Sequence, residues 1–210
     1  MKQGFDAPFR RLDPHQRGHR EPRPTAAMRR SETLVLIDCQ TGFDHPVWGQ
    51  RNNPAFEAHA QAVLAHWRER GRPVVHVRHA SLEPQSPLRA EEAGFAFFPW
   101  AEPLENEVEF VKNVNSCFIG TDFEDWLRNQ GHQKLVLLGL TTNHCVSTTA
   151  RMAGNLGFEV TLVGDACATF ARTAHDGERF DADVVHRTAL ASLHEEFCNV
   201  VNTRELLTED

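Results

Sequence analysis

The chain has 210 residues, 40% of them hydrophobic, enough for one domain with a substantial core and too few for two ordinary ones. Its formal net charge is −7, an acidic balance that repels nucleic acid and anionic membranes, so neither is expected as a partner. No apolar run approaches the ~20 residues that span a bilayer and no signal-peptide pattern opens the chain, so a soluble, cytoplasmic protein is expected.

The charge is unevenly placed. Residues 1–30 hold one Lys and seven Arg against Asp6, Asp13 and Glu21, a balance of +5, which leaves −12 for residues 31–210. The basic arm also carries Pro8, Pro14, Pro22 and Pro24 and little that packs, and reads as a disordered extension ahead of a single domain over 31–210. Met28, just before Arg29-Arg30, is an alternative natural start. Cysteines 39, 117, 145, 167 and 198 are odd in number and lack framework spacing, which argues against a disulfide scaffold.

From residue 31 onward, strand and helix patterns alternate. Thr33–Ile37 is a short apolar run read as a buried strand. Residues 54–70 place Phe56, Ala60, Val63, Leu64 and Trp67 at helical spacing and stop at Gly71. Pro73–Val77 is a second buried strand. Residues 79–106 are irregular and proline-punctuated, the kind of long segment that forms a pocket rim. Glu107–Val111 reads as a strand delivering Lys112, and Thr121 with Glu124 as a capping box for a helix ending at Gly131. Lys134–Leu138 is a strand, Val146–Leu156 a helix and Glu159–Val163 a strand. Asp176–Leu193 reads as a long helix and Cys198–Val201 as a last strand. Buried strands alternating with amphipathic helices predict an α/β fold: a three-layer α/β/α sandwich around a mostly parallel sheet of about six strands.

Ligands bind such sheets at the carboxyl ends of the strands. Asp38 follows the first strand, Lys112 the Glu107–Val111 segment, and Gly139 to Cys145 the Lys134–Leu138 strand. Cys145 is expected at a helix start, where unpaired N–H groups and a nearby Lys112 lower a thiol's pKa. Asp38 is placed to take the thiol proton and return it to a leaving amine. The loop before Cys145 can offer backbone N–H groups to an oxyanion. Each residue also has a plainer reading: a buried small hydrophobe for the Cys, a helix cap for the Asp, a surface charge for the Lys.

Asp38-Cys39-Gln40 with Phe43, Lys112 with Asn115-Ser116-Cys117-Phe118 and Gly120-Thr121, and Gly139-Leu140-Thr141-Thr142-Asn143-His144-Cys145-Val146 occur in order. Together they resemble the isochorismatase-like cysteine hydrolase superfamily, which includes nicotinamidases, N-carbamoylsarcosine amidase and streptothricin hydrolases. The resemblance spans roughly residues 31–203 and is closest to amidases of the streptothricin-hydrolase kind. It implies Asp38 as base, Lys112 as activating cation and Cys145 as nucleophile. It further implies a cis peptide at Leu140–Thr141, an oxyanion hole from the amides of Thr141 and Cys145, and a homo-oligomer, dimer or tetramer. The implied function is hydrolysis of a C–N bond (amide, lactam or ureide) in a small molecule through a thioester. The alternatives are isochorismatase-type vinyl-ether cleavage, against which Cys145 argues, and a non-catalytic thiol redox or ligand-binding protein on the same fold. A dinucleotide-binding enzyme is excluded by the lack of a GxGxxG after the first strand.

No cofactor is expected. A nicotinamidase-type zinc site is not expected either, because Asp44-His45-Pro46 replaces the Asp-x-His element and the next histidines, His59 and His66, fall on a helix. The predicted substrate pocket comprises Gln40, Phe43, Trp48, His79, Phe97, Trp100, Asn143 and His144, although aromatics suit a core or a subunit interface equally. Arg78, His79 and Arg89 are candidates for a substrate carboxylate or carbonyl, and Arg172 and His175 are placed to reach the same edge. Cys39 and Cys117 are read as packing groups, with a redox partnership of Cys117 and Cys145 as the alternative.

Overall fold

A computed structural model describes residues 32–208; the basic arm, residues 1–30, lies outside the described residues. Among the described residues the main sheet has six strands: β1 (Glu32–Ile37), β2 (Val74–His79), β3 (Val108–Lys112), β4 (Lys134–Leu140), β5 (Glu159–Ala168) and, last in the chain, β8 (Asn199–Val201). All pair in parallel, in the order β3-β2-β1-β4-β5-β8. Two short strands, β6 (Arg172–Thr173) and β7 (Arg179–Phe180), form a separate hairpin. The helices are α1 (Phe56–Glu69), α2 (Phe123–Asn129), α3 (Ser147–Asn155), α4 (Ala182–Leu193) and α5 (Thr203–Thr208).

Strand β1 lies at the centre, and its Leu34, Val35, Leu36 and Ile37 are completely buried, as a strand covered on both faces requires. Helix α1 turns Phe56, Ala60, Val63, Leu64 and Trp67 inward. The chain moves from β1 outward to β2 and β3, then crosses back over the sheet to β4, β5 and β8. Right-handed crossovers therefore put α1 on one face and α2, α3 and α4 on the other. The direction reverses between β1 and β4, which are neighbours. Their carboxyl ends open the crevice where open α/β sheets bind ligands. At that point the strands approach closely: Gly139 has φ +128°, and a Cβ there would lie 2.0 Å from the Ile37 carbonyl oxygen.

Three expectations are corrected. The long helix over Asp176–Leu193 is a hairpin followed by α4. Asp176 accepts a hydrogen bond from the Glu178 amide, Gly177 takes φ +90°, and the Ala174 amide closes the turn onto the Glu178 carbonyl. Asp-Gly is turn chemistry, and it outweighs the helical period that continues behind it. Thr121 makes no capping box with Glu124: its hydroxyl accepts from the Phe123 amide at 3.4 Å and donates to the Cys117 carbonyl, but Glu124 accepts from Arg128 instead, and Asp122 occupies the cap position without a side-chain bond. The helix after the Cys145 loop starts later than expected, at Ser147, because Thr142–Val146 forms a wider π-type turn.

Candidate active site

The ends of β1, β3 and β4 bring Asp38, Lys112 and Cys145 together. Asp38 follows β1 with φ +52°, a left-handed conformation that Asp tolerates better than most residues. Its Oδ2 accepts a hydrogen bond from Lys112 Nζ at 2.8 Å, and both side chains are 0% exposed. Its Oδ1 is fully buried and has no hydrogen-bond partner. Lys112 closes β3 opposite His79, the last residue of β2, and Nζ also donates to His79 Nδ1 at 3.2 Å. Burial works against the lysine charge, but the Asp38 carboxylate, through its charge and its hydrogen bond, acts with the Cys145 and Cys117 sulfurs to outweigh it, and the pKa lies above the ordinary lysine value. His79 moves the opposite way: burial, then the Lys112 charge, lowers its pKa, leaving a neutral ring whose Nδ1 accepts.

Cys145 sits in the π-type turn, 7% exposed, with its thiol donating to Asn115 Oδ1 at 3.7 Å. An Asp38 oxygen, a His79 ring nitrogen and Cys145 Sγ all lie within 4.8 Å of one another. The expected lowering of the Cys145 pKa is corrected. Burial and then the Asp38 charge push it well above the ordinary thiol value, and Lys112 only partly opposes them. Cys145 therefore rests as a thiol whose proton needs an acceptor during reaction. The Leu140–Thr141 peptide is cis, and the Thr141 carbonyl accepts from the amides of His144 and Val146. Asp38, His79 and Cys145 are donors of the kind that bind metals, but the Lys112 ammonium touches two of the three and would repel a second cation.

These groups open into a cavity of about 770 Å³. Of the predicted pocket residues, Phe43, Trp48, His79 and His144 line it, together with Asp38, Thr141 and Cys145. Phe43, Trp48 and Phe170 form an aromatic wall with ring centroids 5.6–6.2 Å apart. Ser81 and Glu83 to Leu88 of the irregular segment supply much of the rest of the lining. Phe170 carried no signal of its own; Asn115 entered only as a motif residue, and this run only as part of the irregular 79–106 segment read as a pocket rim, while aromatic content pointed to residues 95–100.

Four predicted pocket residues do not line the cavity. Gln40 is fully buried and clamps His79: its Oε1 accepts from the His79 amide at 2.8 Å, and its Nε2 donates to the His79 and Phe95 carbonyls. Phe97 is buried beside His76 and the Arg78 guanidinium. Trp100 packs on Phe56 and Phe98 and donates to Glu57. Asn143 accepts from the Thr169 hydroxyl and faces a neighbouring groove. Arg78 and Arg89 are likewise committed, to Glu109 and Glu91. Cys39 and Cys117 are fully buried; burial raises both thiols, Cys117 to about 12, and the Thr149 hydroxyl donates to Cys117 Sγ at 3.3 Å.

Comparison with known proteins gives consistent results. The Isochorismatase domain matches residues 32–205. YrdC, an isochorismatase family protein of Bacillus subtilis, is 40% identical over 182 residues, covering 87% of this chain and 97% of its own. Streptothricin hydrolase of Streptomyces noursei is 30% identical over 158 residues, covering 73% of this chain and 61% of its own. The crystal structure of an isochorismatase-family protein from Chromobacterium violaceum is 44% identical with a TM-score of 0.82, covering 86% of this chain and 93% of that one.

Proposed function

The chain belongs to the isochorismatase family, a family of hydrolases, and on that premise we propose that it is a cysteine amidohydrolase of small amides, lactams or ureides. The observation that carries this reading is the divided Asp38 carboxylate. Lys112 holds one oxygen, the other is buried and unpartnered, and the carboxylate lies within 4.8 Å of the Cys145 thiol. An acceptor fixed in that state suits a thiol that burial keeps protonated.

In this reading, Asp38 takes the thiol proton as Sγ attacks the carbonyl carbon. The amides of Thr141 and Cys145 hold the developing oxyanion. The C–N bond breaks as Asp38 returns the proton to the leaving nitrogen, and water then hydrolyses the thioester, restoring the thiol. Lys112 stays charged throughout and fixes the carboxylate. The similarity to streptothricin hydrolase supports C–N chemistry at this fold. Vinyl-ether hydrolysis needs no nucleophilic sulfur and leaves the placement of Cys145 unexplained.

The test is ammonia or amine release from a panel of nicotinamide, N-carbamoyl amino acids, ureides, lactams and aromatic amides. Cys145→Ala is expected to lower turnover of any active member by about a thousandfold or more. Undiminished turnover in that variant would remove sulfur from the mechanism.

A further inference from the structure

The charged groups of the cavity wall do not balance in pairs. Asp38 is matched by Lys112. His79 and His144 are held neutral, in each case by burial first and then by an adjacent cation. Glu83 is an exposed residue of the wall. Arg172 is different. It lines both the cavity and the neighbouring groove, its Nη2 donates to His144 Nδ1 at 3.3 Å, and its Nε is buried with no hydrogen-bond partner among the described residues. Among the described residues no carboxylate pairs with it. Arg78 and Arg89, the other arginines read from sequence as anion ligands, are already neutralised by Glu109 and Glu91.

A partly desolvated guanidinium with an unmet donor and no counter-charge is unfavourable in the empty protein. It is placed deliberately by the backbone. Arg172 lies in the β6–β7 hairpin, in register with Phe180, and the Asp176-Gly177 turn fixes that hairpin. His144, which accepts its Nη2 hydrogen bond, immediately precedes Cys145 in the chain. The aromatic wall of Phe43, Trp48 and Phe170 lines the same cavity.

We propose that Arg172 anchors an anion subsite beside the nucleophile, so that the substrate is an amide or ureide bearing a carboxylate on a flat or apolar body. The substrate assignment rests on the amidohydrolase reading; the anion subsite does not. The carboxylate supplies the missing counter-charge and engages the guanidinium through charge-assisted hydrogen bonds. The apolar body lies against the aromatic wall, and the scissile carbonyl faces Cys145.

Two measurements test this. The first is calorimetric binding of benzoate against benzyl alcohol, a neutral partner of similar size. The wild-type protein should bind benzoate roughly tenfold or more tightly, Arg172→Met should abolish the difference, and Arg172→Lys should keep part of it. Unfolding midpoints of both variants control for folding. Equal binding of the two probes by wild type, or a preference that survives in Arg172→Met, would overturn the subsite. The second is hydrolysis of 4-carbamoylbenzoate against its methyl ester. Faster turnover of the acid, lost in Arg172→Met, supports the substrate class, and equal or faster turnover of the ester overturns it. If neither is hydrolysed while the Arg172-dependent benzoate preference holds, the anion subsite stands and the carboxylate-bearing substrate class is overturned; the amidohydrolase reading is decided separately by the wider panel.

Discussion

Replacing Lys112 with Met keeps the length of the side chain and removes its charge from a place that water does not reach. Lys112 and Asp38 are each 0% exposed, and the variant strands the Asp38 carboxylate with Oδ1 unpartnered and Oδ2 newly so. Breaking a buried pair in this way costs about 3–5 kcal/mol, because an uncompensated charge remains. The folded variant can relieve that charge by protonating Asp38. It then binds more protons than the unfolded chain near neutral pH, so its stability rises as pH falls and its deficit against wild type shrinks. Removing both charges, as in Asp38→Asn with Lys112→Met, should recover most of the loss, since the cost lies in the orphaned partner and not in the missing attraction. Urea unfolding of wild type, the single variant and the double variant at pH 7.5 and 5 reads all three effects. A loss below about 1 kcal/mol would show that water or a rearrangement reaches the pair. A deficit identical at both pH values, or a double variant as unstable as the single one, would equally refute the buried-charge argument.

The other expectations are quickly stated. Burial favours protonating Glu107, but Arg68, the Leu104 amide and His76 outweigh it and hold the pKa at about 2 against an ordinary 4.5. A lowered carboxylate pKa stabilises the fold fully above about 4.5 and progressively less as pH falls toward 2, with a ceiling of roughly 3 kcal/mol. Glu107→Gln should therefore be less stable than wild type at pH 7, with the gap closing below about pH 4 in urea melts; a constant gap would count against the shift. Gln40→Leu leaves the His79 amide and the Phe95 carbonyl without their side-chain partners. It should cost about 1–3 kcal/mol of stability and lower kcat more than KM once a substrate is known, because His79 contacts the Lys112 ammonium.

The sheet was legible because its strands announce themselves. Leu34 to Ile37 and Leu135 to Leu138 are uninterrupted apolar runs, which only a strand covered on both faces can bury, and the helical spacing of Phe56 to Trp67 separates the first two strands. The placing of Asp38, Lys112 and Cys145 at the carboxyl ends of their strands followed from the same reading, reinforced by the motif resemblance. The pocket was far less legible. Aromatic content at Phe97 and Trp100 suggested a wall, yet Phe97 is 3% exposed and packs beside His76; the cavity takes its aromatic wall from Phe43, Trp48 and Phe170, and much of the rest of its lining from Ser81 and Glu83 to Leu88, a run with no aromatic residue. In an irregular segment no period says which residues face inward, so composition is the only guide, and composition does not separate a pocket wall from the core beneath it. Asp176-Gly177 was legible in principle as a hairpin turn, but the longer apolar period of α4 extended through it.

The raised thiol pKa changes how the three converging residues divide their work. A cysteine already ionised by its surroundings would need no base, and Asp38 would only repel the sulfur. Here burial and Asp38 together keep the proton on sulfur, and Lys112 cannot reverse this because its charge is engaged by the same carboxylate. The ion pair fixes Asp38 through Oδ2, while the buried Oδ1 has no hydrogen-bond partner and the carboxylate lies within 4.8 Å of Cys145 Sγ. In the proposed mechanism, a proton moving from Sγ to the Asp38 carboxylate turns the thiol into a thiolate and the carboxylate into an acid within one buried volume, so the net charge of the site is unchanged. That constancy is what a site of low polarity requires, since no charge is created without a neighbour. That transfer gives Arg172 no carboxylate partner among the described residues, and the proposed substrate carboxylate would supply one.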